Sequence, residues 1–167
     1  MVPKKDGFWK KDYVTYRRLW LDACLSAFSN EMRGTVLDIG GKREKKRGSF
    51  QPPENQARTW WYINLDWGTN PNIFADVTQT PLEDQSIDCI LCTEVLEHLP
   101  DPQAGVDEVH RLLRNDGVAL FLYHFSTLFM QTLMTFSGLP KTVYVNFFGN
   151  SNPLRYIGWV GMRGLWD

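Results

Sequence analysis

The sequence predicts an α/β fold: a mostly parallel sheet covered by helices. Three observations predict it. Several short runs are apolar throughout rather than alternating, amphipathic segments lie between them, and polar residues gather at the ends of successive runs. A strand that is apolar on both sides needs cover on both faces, and parallel neighbours need crossover connections, which helices supply. At 167 residues the chain fits one domain, 1–167. We divide it into an N-terminal helical segment (1–33), a core (35–123) and C-terminal helix and strands (124–167).

Residues 8–30 predict a helix, because Tyr13, Tyr16, Leu19, Trp20, Cys24, Leu25 and Phe28 recur at three- and four-residue spacings. Lys10, Lys11, Arg17 and Arg18 fall largely between them, and Gly34 is a stop. Thr35–Ile39 is a short apolar strand running into Gly40 and Gly41. Thr59–Asp66, rich in aromatic and branched residues, is a second strand and Ile73–Ala75 a weaker third. Asp88–Cys92 and Gly117–Tyr123 follow as fourth and fifth. Between these two, Gln103–Arg114 is a helix with Val106, Val109, Leu112 and Leu113 as its buried stripe. Asp101 can cap it and Pro102 suits its first position. Farther on, Leu128–Leu139 predicts a helix. Thr142–Phe148 and Arg155–Met162 predict strands around a turn at Gly149–Pro153, and an antiparallel hairpin fits them.

Composition excludes several classes. A net charge of −1 gives no overall pull towards nucleic acid or anionic membrane, and no nucleic-acid partner is expected. No apolar run reaches membrane-span length, residues 1–11 lack an apolar signal core, and a cytoplasmic location is expected. Cys24, Cys89 and Cys92 make no disulfide framework. Cys89 and Cys92 have redox or metal spacing, but strand residues three apart point to opposite faces, so core packing is expected. Trp60 and Trp61 fall on opposite faces for the same reason. Glu94 and Glu97 straddle a strand end and a turn, so no metal site follows from them. Lys42–Arg47, five basic residues in six, reads as a solvated loop or as a patch for an anionic acceptor.

The strand ends carry the chemistry. Ligands of open α/β sheets bind at the carboxyl ends of the strands. Asp38 with Gly40 and Gly41, then Asp66, then Asp76, then Thr93 and Glu94 stand at four successive ends. Together these groups can hold a nucleoside, and the glycines let a ligand approach the backbone.

From Thr35 to Tyr123 the chain resembles the class I S-adenosylmethionine-dependent methyltransferases, most closely the small methyltransferase-domain (type 11-like) family. Phe74-Ala-Asp-Val77, Pro81-Leu-Glu-Asp-Gln-Ser-Ile-Asp88, Cys92-Thr-Glu-Val-Leu-Glu-His-Leu99 and His110–Gly117 carry the resemblance. It implies a Rossmann-like fold, S-adenosylmethionine as cofactor, and methyl transfer to a small-molecule, saccharide or lipid-linked acceptor. It also implies that Asp38, Gly40 and Gly41 line the methionine side, Asp66 holds the ribose, and Asp76 with the Val77 backbone holds the adenine. Thr93 and Glu94 would sit beneath the transferred methyl. Trp67, just beyond Asp66, would lay its ring against adenine or near the sulfonium. Should an acceptor hydroxyl need a general base, His98 and His124 are the candidates, although both positions also suit a helix end or a cleft wall.

Lys42 and Glu44 stand where the family carries later glycines, and Gly48, Pro52 and Pro53 interrupt the helix that would follow. The first crossover helix is therefore expected to be reduced, with Lys42 or Arg43 replacing helix-start amides as partner of the methionine carboxylate. Six residues separate Asp66 from Ile73, too few for a crossover, so the third strand is expected to be rudimentary. The rival to an active enzyme is a catalytically inactive relative with a degenerate cofactor loop. A nicotinamide-dependent reductase is disfavoured, since the chain lacks a full GxGxxG and a Tyr-x-x-x-Lys pair. So short a core leaves an open acceptor side, which the helix at 8–30 as a lid or a second subunit, as a homodimer, would complete.

Overall fold

The computed structural model describes residues 15–44, 48–123 and 142–147. Outside them lie residues 8–14 of the first expected helix, Lys45–Arg47, His124, the expected helix at 128–139 and the expected strand at 155–162. The described chain forms one sheet of five strands: β1 (Gly34–Ile39), β2 (Ala57–Ile63), β3 (Ile87–Thr93), β4 (Leu113–Tyr123) and β5 (Thr142–Phe147). Their spatial order is β2-β1-β3-β4-β5, and every neighbouring pair is parallel. β5 joins β4 in parallel register from Val118↔Thr142 to Tyr123↔Phe147, and the other arm of the expected antiparallel hairpin, 155–162, lies outside the described residues. Strand composition does not encode direction, and residues 124–141 are long enough for a parallel return.

Among the described residues, two α-helices cover the sheet. α1 (Tyr16–Phe28) begins at Thr15, whose hydroxyl accepts from the Arg18 amide at 3.3 Å. α2 (Pro102–Leu112) has Asp101 accepting from the Gln103 and Ala104 amides and Pro102 in its first turn, as the sequence predicts. Each helix buries its stripe on one face. Leu21, Cys24, Leu25 and Phe28 of α1 form a core with Val36, Cys89, Leu91, Leu120 and Leu122. On the other face Val106, Val109 and Leu112 of α2 pack with Leu37, Ile39, Ile63, Ile90, Cys92, Ala119 and Phe121. Strand alternation thus sends Cys89 and Cys92 to opposite cores, and burial pushes the Cys89 thiol up to about 12.

The shortened parts of the core are as expected. Among the described residues, the segment from Gly40 to Gln56 holds only a single turn at Glu54–Gln56, and α1 covers the face there. The third strand is one parallel bridge, Ile63↔Ile73. β2 stops at Ile63, three residues short of the expected end. Beyond it Asn64 turns into hydrogen bonds with its side chain, and Asp66 caps a short turn, Trp67–Thr69. β4 departs from strand geometry at the Asn115-Asp116-Gly117 turn signal. Ile87 pairs with Leu113 but Cys89 with Val118, so the intervening residues bulge out.

The chain visits β2 on one side of β1 and β3 on the other. That change of direction opens a crevice at the carboxyl ends of β1 and β3, where an open α/β sheet receives ligands.

Candidate functional site

A cleft of about 1230 Å³ lies at this crevice. Asp38 and Gly40 come from the end of β1, Leu91 and Thr93 from β3, and Glu94 from just beyond it. α1 supplies Arg17, Arg18, Leu21 and Leu25, and the chain after β1 closes the mouth with Gly41, Lys42 and Phe50. Six of the expected cofactor residues therefore meet at one opening: Asp38, Gly40, Gly41, Lys42, Thr93 and Glu94.

The glycine turn is fixed by sterics on both sides. Gly40 has φ +72°, and a side chain there would collide with Val95. A side chain on Gly41 would collide with the Asp38 carboxylate, so Gly41 leaves the Asp38 oxygens against bare backbone. The amide of Gly40 donates to the Ile63 carbonyl at 2.8 Å, which ties the turn to β2. Asn64 completes the tie. Its side-chain amide donates to the carbonyls of both Gly40 (3.0 Å) and Gly41 (3.1 Å), while its own oxygen accepts from the Asp66 amide. Glu44, standing where the family has a glycine, accepts from Asn70 at 2.9 Å, and its amide donates to Thr69. The loop is thus stitched to the chain after β2 instead of leading into a helix.

Farther along, Ser49 is anchored to α1. Its amide and hydroxyl donate to Asp22 at 2.6 and 3.0 Å, and Asp22 also pairs with Arg18 at 3.1 Å. Across the cleft, Glu94 faces Arg17, with Nε–Oε1 at 3.0 Å and Nη2–Oε2 at 3.1 Å.

The remaining expected residues stand apart from this opening. Asp66 is exposed, and its Oδ1 accepts from the Gly68 amide at 2.8 Å. Asp76 is exposed and bonds Thr78 through both the amide and the hydroxyl at 2.9 Å, while Val77 is buried. Trp67 stacks on Phe74, ring centroids 4.5 Å apart and planes 5° from parallel; both rings are substantially exposed, at 68% and 44%. The Ile63↔Ile73 bridge places Asp66 and Asp76 beyond the same ends of neighbouring segments, beside the cleft and not in its wall. His98 closes a short turn (Leu96–His98), is exposed, and does not line the cleft. His124 lies outside the described residues.

Arg17 and Asn64 escaped sequence reasoning. Arg17 sits between the apolar positions of a helix, where periodicity assigns it to solvent. Asn64 falls inside an expected strand, and only its position two residues before Asp66 could have marked it.

Behind the site, the Thr80–Asp88 segment is locked to α2. Glu108, buried, accepts from the Thr80 amide and hydroxyl at 2.7 Å each and from Arg111 at 2.7 and 2.8 Å. Burial works against its charge, but the Arg111 and Thr80 hydrogen bonds prevail and hold its carboxyl down at about 2. Asp88, at the other end of β3, accepts from the Thr35 amide (2.7 Å) and from Arg114 (2.9 Å). These bonds outweigh its desolvation and lower its pKa.

Comparison with known proteins finds similar methyltransferases. Residues 63–121 match the family model described as "Methyltransferase domain". A malonyl-[acyl-carrier protein] O-methyltransferase of Laribacter hongkongensis is 32% identical over 118 residues, a match covering 71% of this chain and 38% of that protein. A solved Methanococcus maripaludis structure, provisionally described as an S-adenosyl-L-methionine-dependent methyltransferase, shares 15% identity at a TM-score of 0.49. That likeness covers 81% of this chain and 58% of the other. The chain thus spans little more than a third of its curated relative and just over half of the solved one. Residues 63–121, about a third of the chain, match the methyltransferase-domain family, and the relative that aligns with 71% of this chain is itself named as a methyltransferase.

Proposed function

We propose that this chain carries the methyl-transfer site of an enzyme that methylates a small acceptor. The observation that carries the reading is the convergence of Asp38, Gly40, Gly41, Lys42, Thr93 and Glu94 on one cleft at the switch point of the sheet. The donor set suits the amino-acid end of S-adenosylmethionine: a carboxylate for its ammonium, a lysine for its carboxylate, and bare backbone at the glycines. Asp66 and Asp76, next to the cleft, would receive the ribose and adenine once their internal caps open. Trp67 stacked on Phe74 offers an aromatic face on the same side.

When bound, the cofactor supplies an activated methyl group on a sulfonium. The chain's own residues have the remaining tasks: to orient the acceptor in line and to exclude water. The curated relative is named for malonyl on a carrier protein and for transfer to oxygen. Among small-molecule, saccharide and lipid-linked acceptors, that name favours a small acyl group presenting a carboxylate. A carboxylate is already ionised at neutral pH, so this acceptor makes no demand on His98 or His124 as a base.

The altered loop supports a second reading, a catalytically inactive relative, because Lys42 and Glu44 replace glycines and no α-helix follows among the described residues up to β2. Calorimetric titration with S-adenosylhomocysteine separates the two. Binding by the wild-type chain, weakened about tenfold by Lys42→Ala, is the expected result. No heat and no thermal shift at millimolar ligand overturns the enzymatic reading, and unchanged affinity in Lys42→Ala removes Lys42 from the site.

A further inference from the structure

Arg17 reaches from the first turn of α1 to Glu94 beyond β3, 77 positions away in sequence, and the two pair fork to fork at 3.0 and 3.1 Å. Both line the cleft, so the pair spans the opening. Its geometry is the one a planar guanidinium offers to any carboxylate, two parallel N–H···O bonds. The backbone of Glu94 is set for it. Its φ of 55° is in the left-handed region, uncommon for a residue with a side chain, and its amide is held by the Leu122 carbonyl at 2.9 Å. Strained positions of this kind persist where the surrounding structure over-determines them, and they cluster at ligand sites. Stability does not account for the pair, since an ion pair this exposed adds little. The Arg17 side chain keeps 49% of its surface open against 19% for Glu94, so the cation is the accessible partner.

We propose that Arg17 is the seat of a ligand carboxylate in this cleft, with Glu94 occupying it until the ligand arrives. This rests on the methyl-transfer reading above and names the chemistry of one group the site receives. The exchange replaces one carboxylate by another on the same guanidinium, with no proton moved and no covalent bond changed. Lys42, at the same opening, provides a point charge; Arg17 provides a plane that fixes the orientation of what it holds. The carboxylate has two possible sources, the amino-acid end of the cofactor or an acceptor that itself bears a carboxylate.

Four probes distinguish them by calorimetry on the full chain. These are S-adenosylhomocysteine, its decarboxylated analogue, the malonyl thioester of N-acetylcysteamine, and the methyl ester of that thioester. Arg17→Ala is expected to weaken one carboxylate probe by about tenfold or more while leaving its counterpart without a free carboxylate unchanged. Loss confined to S-adenosylhomocysteine identifies the cofactor as the source, and loss confined to the malonyl thioester identifies the acceptor. Glu94→Gln, which vacates the seat, is expected to tighten the same probe by about threefold. Arg17→Lys keeps the charge and the fold and recovers only part of the affinity, as a lost second hydrogen bond requires. Unchanged binding of all four probes to Arg17→Ala, or equal loss for the probes with and without a free carboxylate, overturns the proposal. A wild-type chain that binds the malonyl thioester but not S-adenosylhomocysteine overturns the methyl-transfer reading and leaves the seat standing.

Discussion

Arg111 shows how much one side chain organises here. It donates to both oxygens of Glu108, to the carbonyls of Thr80 and Leu82, and to Asp84, so a loop with no regular structure is fastened to α2. The consequence is a pH dependence. With the Glu108 carboxyl held near 2 in the folded chain, against an ordinary 4.5, the unfolded chain takes up a proton first as the pH falls. Glu108 therefore stabilises the fold fully above about pH 4.5, and the contribution disappears on the way down to about pH 2, on the order of 2 kcal/mol in all. Glu108→Gln should lower the urea midpoint clearly more at pH 7 than at pH 3, where part of the contribution has gone. Equal deficits at both pH values would show that the charge is not what Arg111 holds. In the sequence this cluster reads only as family resemblance. Glu108 is 28 positions from Thr80, and no periodicity pairs a helix carboxylate with a loop hydroxyl.

At the scale of elements, α1 takes over the cover that a crossover helix gives elsewhere. Phe28, 2% exposed, closes its apolar stripe in the core shared with Val36, Leu91 and Leu120. Phe28→Ala should cost about 3–5 kcal/mol, read as a fall in melting temperature, and should weaken ligand binding as well, because Leu21 and Leu25 of the same helix wall the cleft. A stability loss with unchanged affinity would mean that α1 covers the sheet without shaping the site. The missing crossover helix was legible, since Gly48, Pro52 and Pro53 are local signals of backbone geometry. So was the Asp101-Pro102 start of α2. The parallel direction of β5 was not, because an apolar run looks the same in either direction. The early end of β2 was hidden for a related reason. Asn64 leaves the ladder to bond the Gly40 and Gly41 carbonyls, contacts that exist only once β1 and β2 lie side by side.

On the scale of the whole molecule, the sequence groups the strand-end residues by logic that is nearly topological. Acidic and glycine residues at consecutive strand ends must share one rim of a parallel sheet. It did not place Arg17, because the cleft wall it occupies is made by a helix whose outward face resembles any solvated face. The same rim divides into two sides. Asp38, Thr93 and Glu94 line a deep opening, whereas Asp66 and Asp76 cap their own loops beside the exposed Trp67–Phe74 stack. Among the described residues, no helix is long and apolar enough to cross a membrane.

α1 precedes every strand of the described sheet in the chain, yet the core it belongs to includes Leu120 and Leu122, about a hundred positions later. Contacts that distant are slow to form, and the apolar stripe of α1 must wait unprotected while they do. Cys24 on that stripe, 0% exposed in the finished fold, is a clock for the delay. In a refolding experiment with brief pulses of a thiol reagent, Cys24 should remain reactive until β4 docks and then close in step with Cys89, its neighbour in the same core. Protection of Cys24 ahead of Cys89 would show instead that α1 finds a local partner before the sheet is complete.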